Sequence, residues 1–308
     1  MTKKIYIAGH RGLVGSSITK QLNKNQLLLK TRQELNLHSQ NSVKDFFEKE
    51  KPTQVYLAAA KVGGILANKT QKADFIYENL MVQNNVIHNA YKSGVDKLLF
   101  LGSSCIYPKN CPQPMSETDL LTGKLEETND AYAIAKIAGI VMCDSYRDQY
   151  DCNFISCMPT NLYGPKDNFH LKNSHVLPAM IHKFHLAKTQ NENKVTLWGT
   201  GSPMREFLYV DDMAEACIFL MENYNEKGLV NIGTGQDVTI KELADFIREI
   251  IGFTGEIIWD TSKPDGTARK LLNVDKINKL GWKAKTSLQE GIEKSYQWFL
   301  SNYQNIKK

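Results

Sequence analysis

The sequence predicts an α/β protein, a doubly wound parallel sheet with helices on both faces, followed by a smaller C-terminal α/β lobe. Three observations carry this. Short, nearly continuous apolar runs alternate with longer helical patterns through the first half, a glycine-rich turn follows the first run, and the alternation loosens beyond residue 165. Strands buried on both faces read as unbroken apolar runs. Ile5–Ala8, Leu27–Leu29, Gln54–Ala58, Lys97–Leu101 and Asn153–Met158 fit that description. Helical patterns over Ser16–Asn23, Val43–Glu50, Phe75–Ser93 and Ala131–Tyr150 supply the covering layers. After Pro159 come Asn161-Leu-Tyr-Gly-Pro165 and a polar stretch to Ser174. A helix near Val176–Ala187, a strand near Val195–Trp198 and helices near Asp212–Asn223 and Ile240–Ile251 follow. Residues 1–165 are expected to form the sheet domain, with the chain returning to it around 205–235, and 166–308 mainly the second lobe. The Lys/Asn-rich stretch Asn302–Lys308 is expected to fray.

Bulk properties narrow the function. At 308 residues, 42% hydrophobic and 23% charged, the chain has an ordinary globular composition and can bury a large core. Its formal charge of +5 is spread along the sequence, which suits small anionic ligands and argues against nucleic acid. Met1-Thr-Lys-Lys4 runs straight into an apolar strand, so no secretory leader is expected, and no window reaches the length of a membrane span. Six cysteines without CxxC or metal-like spacing indicate reduced thiols, a cytoplasmic location and no metal site.

Ile5-Tyr-Ile-Ala-Gly9 delivers a strand into Gly9-His-Arg-Gly12-Leu-Val-Gly15. In a Rossmann-type turn of this spacing, the first glycine permits the sharp bend and the second lets backbone approach a pyrophosphate. The third allows close helix–strand packing. The N–H groups opening the next helix face the anion. NAD enzymes usually place a carboxylate after the second strand for the ribose 2′-hydroxyl. Here that strand ends Leu29-Lys30-Thr31-Arg32, and Arg11 lies within the glycine loop. Cations in place of the carboxylate predict NADP(H).

Tyr132-Ala-Ile-Ala-Lys136 places a phenol and an ammonium on one helical face. At roughly 5 Å and an effective dielectric near 20, their attraction is about 3 kcal/mol, enough to lower the phenol pKa by about 2. Such a phenol could donate a proton near neutral pH. The fourth strand ends Leu101-Gly-Ser103, at the carboxyl edge where such sheets bind ligands. Ser103 can there hydrogen-bond a carbonyl that Tyr132 protonates, and Asn129 or Asp130 is the expected helix cap. Taken on their own residues, Cys105 fits a small core position and His175 a helix entry. His182 and His185 fit a solvated helix face, and Trp198 a lobe-core aromatic. Cys143, Cys152, Cys157 and Cys217 read as packing residues, and Asp211 with Asp212 as a helix cap.

With these motifs the chain resembles the extended short-chain dehydrogenase/reductases over nearly all its length. Four stretches are more narrowly similar to the GDP-L-fucose synthase branch: Ala8–Gly15, Ala58–Gly64, Gly102–Pro108 and Met158–Pro165. Asn168-Phe-His, Asn173-Ser-His-Val, Met204-Arg-Glu-Phe207 and Lys263-Pro-Asp-Gly-Thr267 extend the likeness. The resemblance implies Ser103, Tyr132 and Lys136 as the reductase set and Cys105 with His175 as an epimerising acid/base pair. It implies an NADP site of Gly9, Arg11, Gly12, Leu13, Val14, Gly15, Arg32, Leu37 and Lys136. Asn161, Leu162, Tyr163, Gly164 and His175 complete that site. Lys183, Trp198, Arg205 and Asp265 would hold a GDP-sugar, with lysine at 183 where relatives carry arginine.

The implied activity is NADPH-dependent 3,5-epimerisation and 4-keto reduction of GDP-4-keto-6-deoxy-D-mannose to GDP-L-fucose. Protons on C3 and C5 are acidified by the C4 ketone, and inverting each carbon takes a base on one face and an acid on the other. Cysteine and histidine can serve both roles near neutral pH. The residues leave the division open, with Cys105 favoured as base. The alternative is another nucleotide-sugar epimerase or reductase of the same fold. A 4,6-dehydratase lacks support because Ser104-Cys-Ile-Tyr107 carries no acidic pair. A non-catalytic cofactor sensor would be expected to lose Tyr132 or Lys136. The family also implies a homodimer through the helices at 75–93 and 131–150.

Overall fold

The computed structural model describes residues 3–171, 174–263 and 265–306. Met1, Asn173, Pro264 and Lys308, named above within longer stretches, lie outside the described residues. In chain order the elements are β1 (Ile5–Ala8), α1 (Leu13–Gln21), β2 (Leu27–Leu28), α2 (Gln40–Glu50), β3 (Gln54–Leu57), α3 (Ile65–Thr70) and α4 (Lys72–Lys92). Then come β4 (Lys97–Leu101), α5 (Asp130–Tyr150), β5 (Phe154–Pro159), β6 (Asn161–Tyr163), α6 (Val176–Thr189) and β7 (Lys194–Trp198). The remainder is β8 (Met204–Tyr209), α7 (Val210–Asn223), β9 (Leu229–Ile232), β10 (Asp237–Thr239), α8 (Ile240–Ile251), β11 (Glu256–Asp260), β12 (Arg269–Lys270), α9 (Asp275–Leu280) and α10 (Leu288–Asn302).

Six parallel strands form the central sheet in the order β2-β1-β3-β4-β5-β9. β1, β4, β5 and β9 are buried throughout, as their apolar runs require when helices cover both faces. From β1 the chain steps out to β2 and then crosses back to β3, so the strand order reverses between β1 and β3. Open α/β sheets bind ligands at such a switch point, beyond the carboxyl ends of the strands. Helix α4 packs on α5 and α2, and α1 on α7, where Ser17 donates its hydroxyl to Asp211 at 2.5 Å.

A second core gathers α6, β7, α8 and α10 around Phe184, Ile247 and Phe299. Beside it β8 pairs with β6, β10 and β12, and β7 pairs with β11. The first core recruits late segments of the chain: Leu208 and Met213–Tyr224, then Leu272, Val274, Ile277 and Trp282. That last return, past residue 270, is absent from the sequence expectation.

Three local expectations are corrected, and the cap expected for α5 holds in position. His182 and His185 are buried, not solvated: each ring packs tilted or edge-on against Phe299 and Tyr303, and His185 Nδ1 lies 3.1 Å from the Tyr296 hydroxyl. The stretch after Asn302 does not fray before Ile306, because Tyr303 and Ile306 pack on the second core. Asp211 and Asp212 sit inside the first turn of α7, with Tyr209 at the N-cap. Asp212 instead accepts the backbone N–H groups of Lys285 and Thr286, both at 2.8 Å, tying α7 to the approach of α10. Asn129 takes the N-cap position of α5 without a side-chain bond, while Asp130 accepts from Ala131 N–H at 2.7 Å.

Candidate active site

The glycine loop lies at the switch point, and the three glycines differ in what forces them. Gly9 has φ +87°, and a Cβ there would lie 2.8 Å from Ala59 N on the neighbouring strand's exit. At Gly15 a Cβ would come within 2.2 Å of Gly9 O, so only glycine lets α1 sit against the turn. Gly12 has extended backbone, and its Cβ would meet only Gly9 O at 3.4 Å. The fold tolerates a side chain at 12; a group lying on the loop would not. Leu13, Val14 and Gly15 form the first turn of α1, whose cap makes no side-chain bond, leaving helix-opening N–H groups for an anion.

Beside the loop is a cavity of about 290 Å³. Gly9, Arg11, Gly12, Arg32 and Leu37 line it, together with His10, Lys30, Leu35 and Val82 that the sequence did not single out. Three cations and no carboxylate face this space, which fits a nucleotide bearing an extra phosphate. Leu37 is pinned from behind, its carbonyl accepting from Asn85 Nδ2 at 2.9 Å. Burial and the Arg11 charge hold the His10 pKa below the usual imidazole range.

Ser103 leaves β4 at its carboxyl end, and α5 lies against that strand. The close approach depends on Gly139, where a Cβ would sit 2.3 Å from the Phe100 ring. Lys136, 3% exposed, then spans from α5 to β4: its Nζ donates to Leu101 O at 2.7 Å and stands 4.8 Å from the centre of the Phe100 ring. It lies 5.8 Å from the centre of the Tyr132 ring. The expected lowering of the Tyr132 pKa is not found. Burial pushes the phenol well above its usual value, with nearby Cys105 adding to the rise and the hydrogen bond to Ser103 opposing it. Helical spacing puts the lysine on the right face, but its charge is spent on the Leu101 carbonyl and the Phe100 ring. Burial brings Lys136 itself down to about 8.

Cys105 lies in a short 3-10 turn, Ser104–Ile106, directly after Ser103. Burial raises its thiol pKa, while the Ser103 hydroxyl and the Lys270 and Lys136 ammonium groups draw it down. Lys270, not foreseen from sequence, is therefore part of the site. Its pKa is lowered by burial and raised by Cys105 and, more weakly, Glu126. Its local sequence gave no signal, since Lys270 directly follows Arg269 and reads as one of two charges ahead of Leu271-Leu272. His175 stands at the N-cap of α6, solvent-accessible yet crowded, and that desolvation lowers its imidazole pKa. The structure brings Ser103, Cys105, Tyr132 and Lys136 together; His175 lies at the N-cap of α6, beside the second core.

Other expected contacts come from the second lobe or its hinge. Asn161 donates through Nδ2 to Glu206 O at 2.8 Å, and Leu162 shares its strand. The Tyr163 side chain is buried against Phe207 and Tyr209, so only its backbone could meet a ligand. A Cβ on Gly164 would strike Val210 at 2.5 Å. Trp198 is 62% exposed rather than part of the lobe core. Asp265 accepts from Thr200 N–H at 2.7 Å and from its hydroxyl at 2.9 Å, closing the turn after Trp198. Lys183 reaches Thr196 O at 3.4 Å, and burial lowers the pKa of both Lys183 and Arg205. Arg205 lies beside Lys270 in the β8–β12 register.

The chain is similar to known proteins along nearly its whole length. Residues 5–233 match the NAD dependent epimerase/dehydratase family. The chain is 59% identical over 302 residues to a putative GDP-L-fucose synthase 2 of Arabidopsis thaliana, covering 97% of this chain and 92% of that one. It is 54% identical over 317 residues to the GDP-L-fucose synthase of Escherichia coli strain K12, covering 99% of each. A solved GDP-L-fucose synthetase from Naegleria fowleri bound to NADP aligns with a TM-score of 0.91 at 30% identity, covering 99% of this chain and 96% of that one. The chain belongs to the NAD dependent epimerase/dehydratase family, within the extended short-chain dehydrogenase/reductases.

Proposed function

We infer that this protein carries out NADPH-dependent 3,5-epimerisation and 4-keto reduction of GDP-4-keto-6-deoxy-D-mannose, giving GDP-L-fucose. The observation that carries this reading is Cys105, a buried thiol one short turn beyond Ser103 and beside Tyr132, in a chain 54% identical to a GDP-L-fucose synthase over its full length. Bound NADPH supplies the hydride. Gly9, Arg11, Gly12, Arg32 and Leu37, with the first turn of α1, would hold its nucleotide end, and Asn161–Gly164 and His175 would flank the nicotinamide end. Residues 1–165, with the returns from the second half, serve as the cofactor domain, and 166–308 mainly as the substrate lobe.

Ser103 and Tyr132 hydrogen-bond the C4 oxygen, stabilising the enolate as C3 and C5 lose their protons. Cys105 acts as base. Burial keeps it a thiol in the free chain, and the Lys270 and Lys136 ammonium groups stabilise the thiolate once it forms. His175, whose pKa burial lowers, takes up the proton that the Cys105 thiol releases and, as imidazolium, is then the acid on the opposite face of the sugar. When hydride reaches C4, Tyr132 gives its proton to the oxygen. The high phenol pKa suits that order: Tyr132 stays protonated until the alkoxide develops. Lys183, Trp198, Arg205 and Asp265 hold the GDP portion.

The protein works as a cytoplasmic homodimer. Support for the dimer comes from paired helices α4 and α5, which leave Tyr77, Ile134 and Val141 exposed. Its six cysteines are free thiols, in keeping with a reducing compartment. Among the described residues no helix is long and apolar enough to cross a membrane. Incubation with the 4-keto-6-deoxy sugar nucleotide and NADPH in deuterated water tests the function. The expected result is NADPH consumption with deuterium at C3 and C5 of the product; consumption without deuterium would leave a plain 4-reductase.

A further inference from the structure

The catalytic side chains are not held equally well. Ser103 lies two residues beyond the end of β4, and Tyr132 and Lys136 ride on a six-turn helix packed against that strand. Cys105 sits in one 3-10 turn whose internal hydrogen bonds are long. Its own N–H reaches Ser103 Oγ at 3.4 Å, Ile106 N–H reaches Ser103 O at 3.2 Å, and Tyr107 N–H reaches Ser104 O at 3.5 Å. Bonds of that length hold a turn weakly.

The far end of the turn is different. Tyr107, 3% exposed, donates its hydroxyl to Asn231 Oδ1 at 2.5 Å. Asn231 lies on β9 of the central sheet and is wholly buried. Its Nδ2 donates to the carbonyls of Met115 at 3.0 Å and Asn273 at 3.2 Å. The backbone of Met115 is paired in turn with Leu271 and Asn273, so the segment following Lys270 is stitched to the same junction. One side chain thus ties the Cys105 turn and the Lys270 strand to the rigid sheet, and none of its polar atoms is free to meet a ligand.

We propose that Tyr107 and Asn231 are a positioning pair for epimerisation, fixing the Cys105 thiol and the Lys270 ammonium relative to the sugar while touching neither substrate nor cofactor. This rests on the function proposed above. A misplacement of about 1 Å at a reacting group can cost ~10²-fold in rate. Loosening this junction therefore slows proton transfer at C3 and C5, while hydride transfer keeps its own anchors on β4 and α5. The C4 ketone is present before and after inversion, so slowed epimerisation lets hydride transfer overtake it. The product mixture then shifts toward a C4-reduced sugar nucleotide whose C3 or C5 is not inverted.

Tyr107→Phe removes only the hydroxyl. In deuterated water with NADPH it is expected to lower deuterium incorporation roughly 10- to 100-fold and raise the share of uninverted product, with NADPH affinity unchanged. Asn231→Ser withdraws the acceptor, keeps Tyr107, and is expected to shift the ratio the same way; it decides the matter if Tyr107→Phe does not fold. A purely structural role would lower both half-reactions together and leave the product ratio alone. Folded variants with wild-type product ratios overturn the proposal. Wild-type protein that reduces the ketone without any deuterium incorporation overturns the epimerase assignment itself, a distinct failure.

Discussion

The proposed reductase set and the proposed epimerising pair are built from different kinds of structure. Ser103, Tyr132 and Lys136 sit at the joint of a buried strand and a long helix, where Gly139 brings the two into contact and Leu101 O fixes the lysine. Cys105 depends on a single turn anchored from beyond its end, and His175 lies at the N-cap of α6, beside the second core. Chemistry common to a large family is placed on regular secondary structure. On the proposed assignment, chemistry peculiar to one substrate is placed on a turn and on the segment leading into α6, outside the regular elements of the sheet.

The sharpest break between the two halves is Cys105→Ser. We predict a loss of about 10²- to 10⁴-fold in deuterium exchange at C3 and C5, measured by NMR, with hydride transfer to C4 preserved. Tyr132→Phe should impair both half-reactions, since the phenol steadies the enolate and later gives its proton to the C4 oxygen; equal damage to both half-reactions by Cys105→Ser would erase the distinction.

Lys136 gives the next largest effect, and on stability it has the unexpected sign. Its pKa falls from 10.5 to about 8, a penalty near 3 kcal/mol at 1.36 kcal/mol per pH unit. Below pH 8 both folded and unfolded chains carry the proton, and the folded state bears the whole penalty. Between about 8 and 10.5 only the unfolded chain keeps it, so this contribution to stability improves as pH rises through that window. Lys136→Met should therefore abolish reduction yet stabilise the protein at pH 7 by about 1–3 kcal/mol, after the lost Leu101 hydrogen bond is counted. Denaturant melts that show destabilisation would mean the lysine is better solvated than its burial implies.

On the cofactor side, Arg32→Ala should lower kcat/KM for NADPH about 10- to 100-fold and leave that for NADH nearly unchanged, as expected for one charge-assisted contact to a 2′-phosphate. Parallel losses with both cofactors would remove Arg32 from that role. The smallest effect is expected at the exposed Trp198. Trp198→Ala should raise KM for the sugar nucleotide about 5-fold, matching about 1 kcal/mol of stacking, with unfolding midpoints unmoved.

What could be read from sequence follows the same division. β1 and β4 were legible residue for residue because strands covered on both faces read as nearly continuous apolar runs, with Lys97 at the start of β4 the one charged position in the two. β8 was not, since Arg205 and Glu206 interrupt its apolar run. Arg205 is one of the proposed GDP-sugar contacts, and Glu206 is a wholly buried carboxylate that accepts from Thr234 N–H at 2.6 Å, Gly235 N–H at 2.7 Å and Leu272 N–H at 3.0 Å. His182 and His185 looked solvated because the rings that bury them lie more than 110 residues further along the chain. The Tyr132–Lys136 spacing gave the shared face but could not show that Leu101 O, brought by a different element, would take up the ammonium. Local pattern reports an element and its buried side; a polar side chain's partner is set by tertiary contact.

The most direct test of two separable chemistries omits the hydride source. Wild-type protein incubated with GDP-4-keto-6-deoxy-D-mannose in deuterated water without NADPH should place deuterium at both C3 and C5 while the C4 ketone remains. Cys105→Ser should place almost none. An absence of exchange until NADPH is added, or wild-type exchange in Cys105→Ser, would contradict the account.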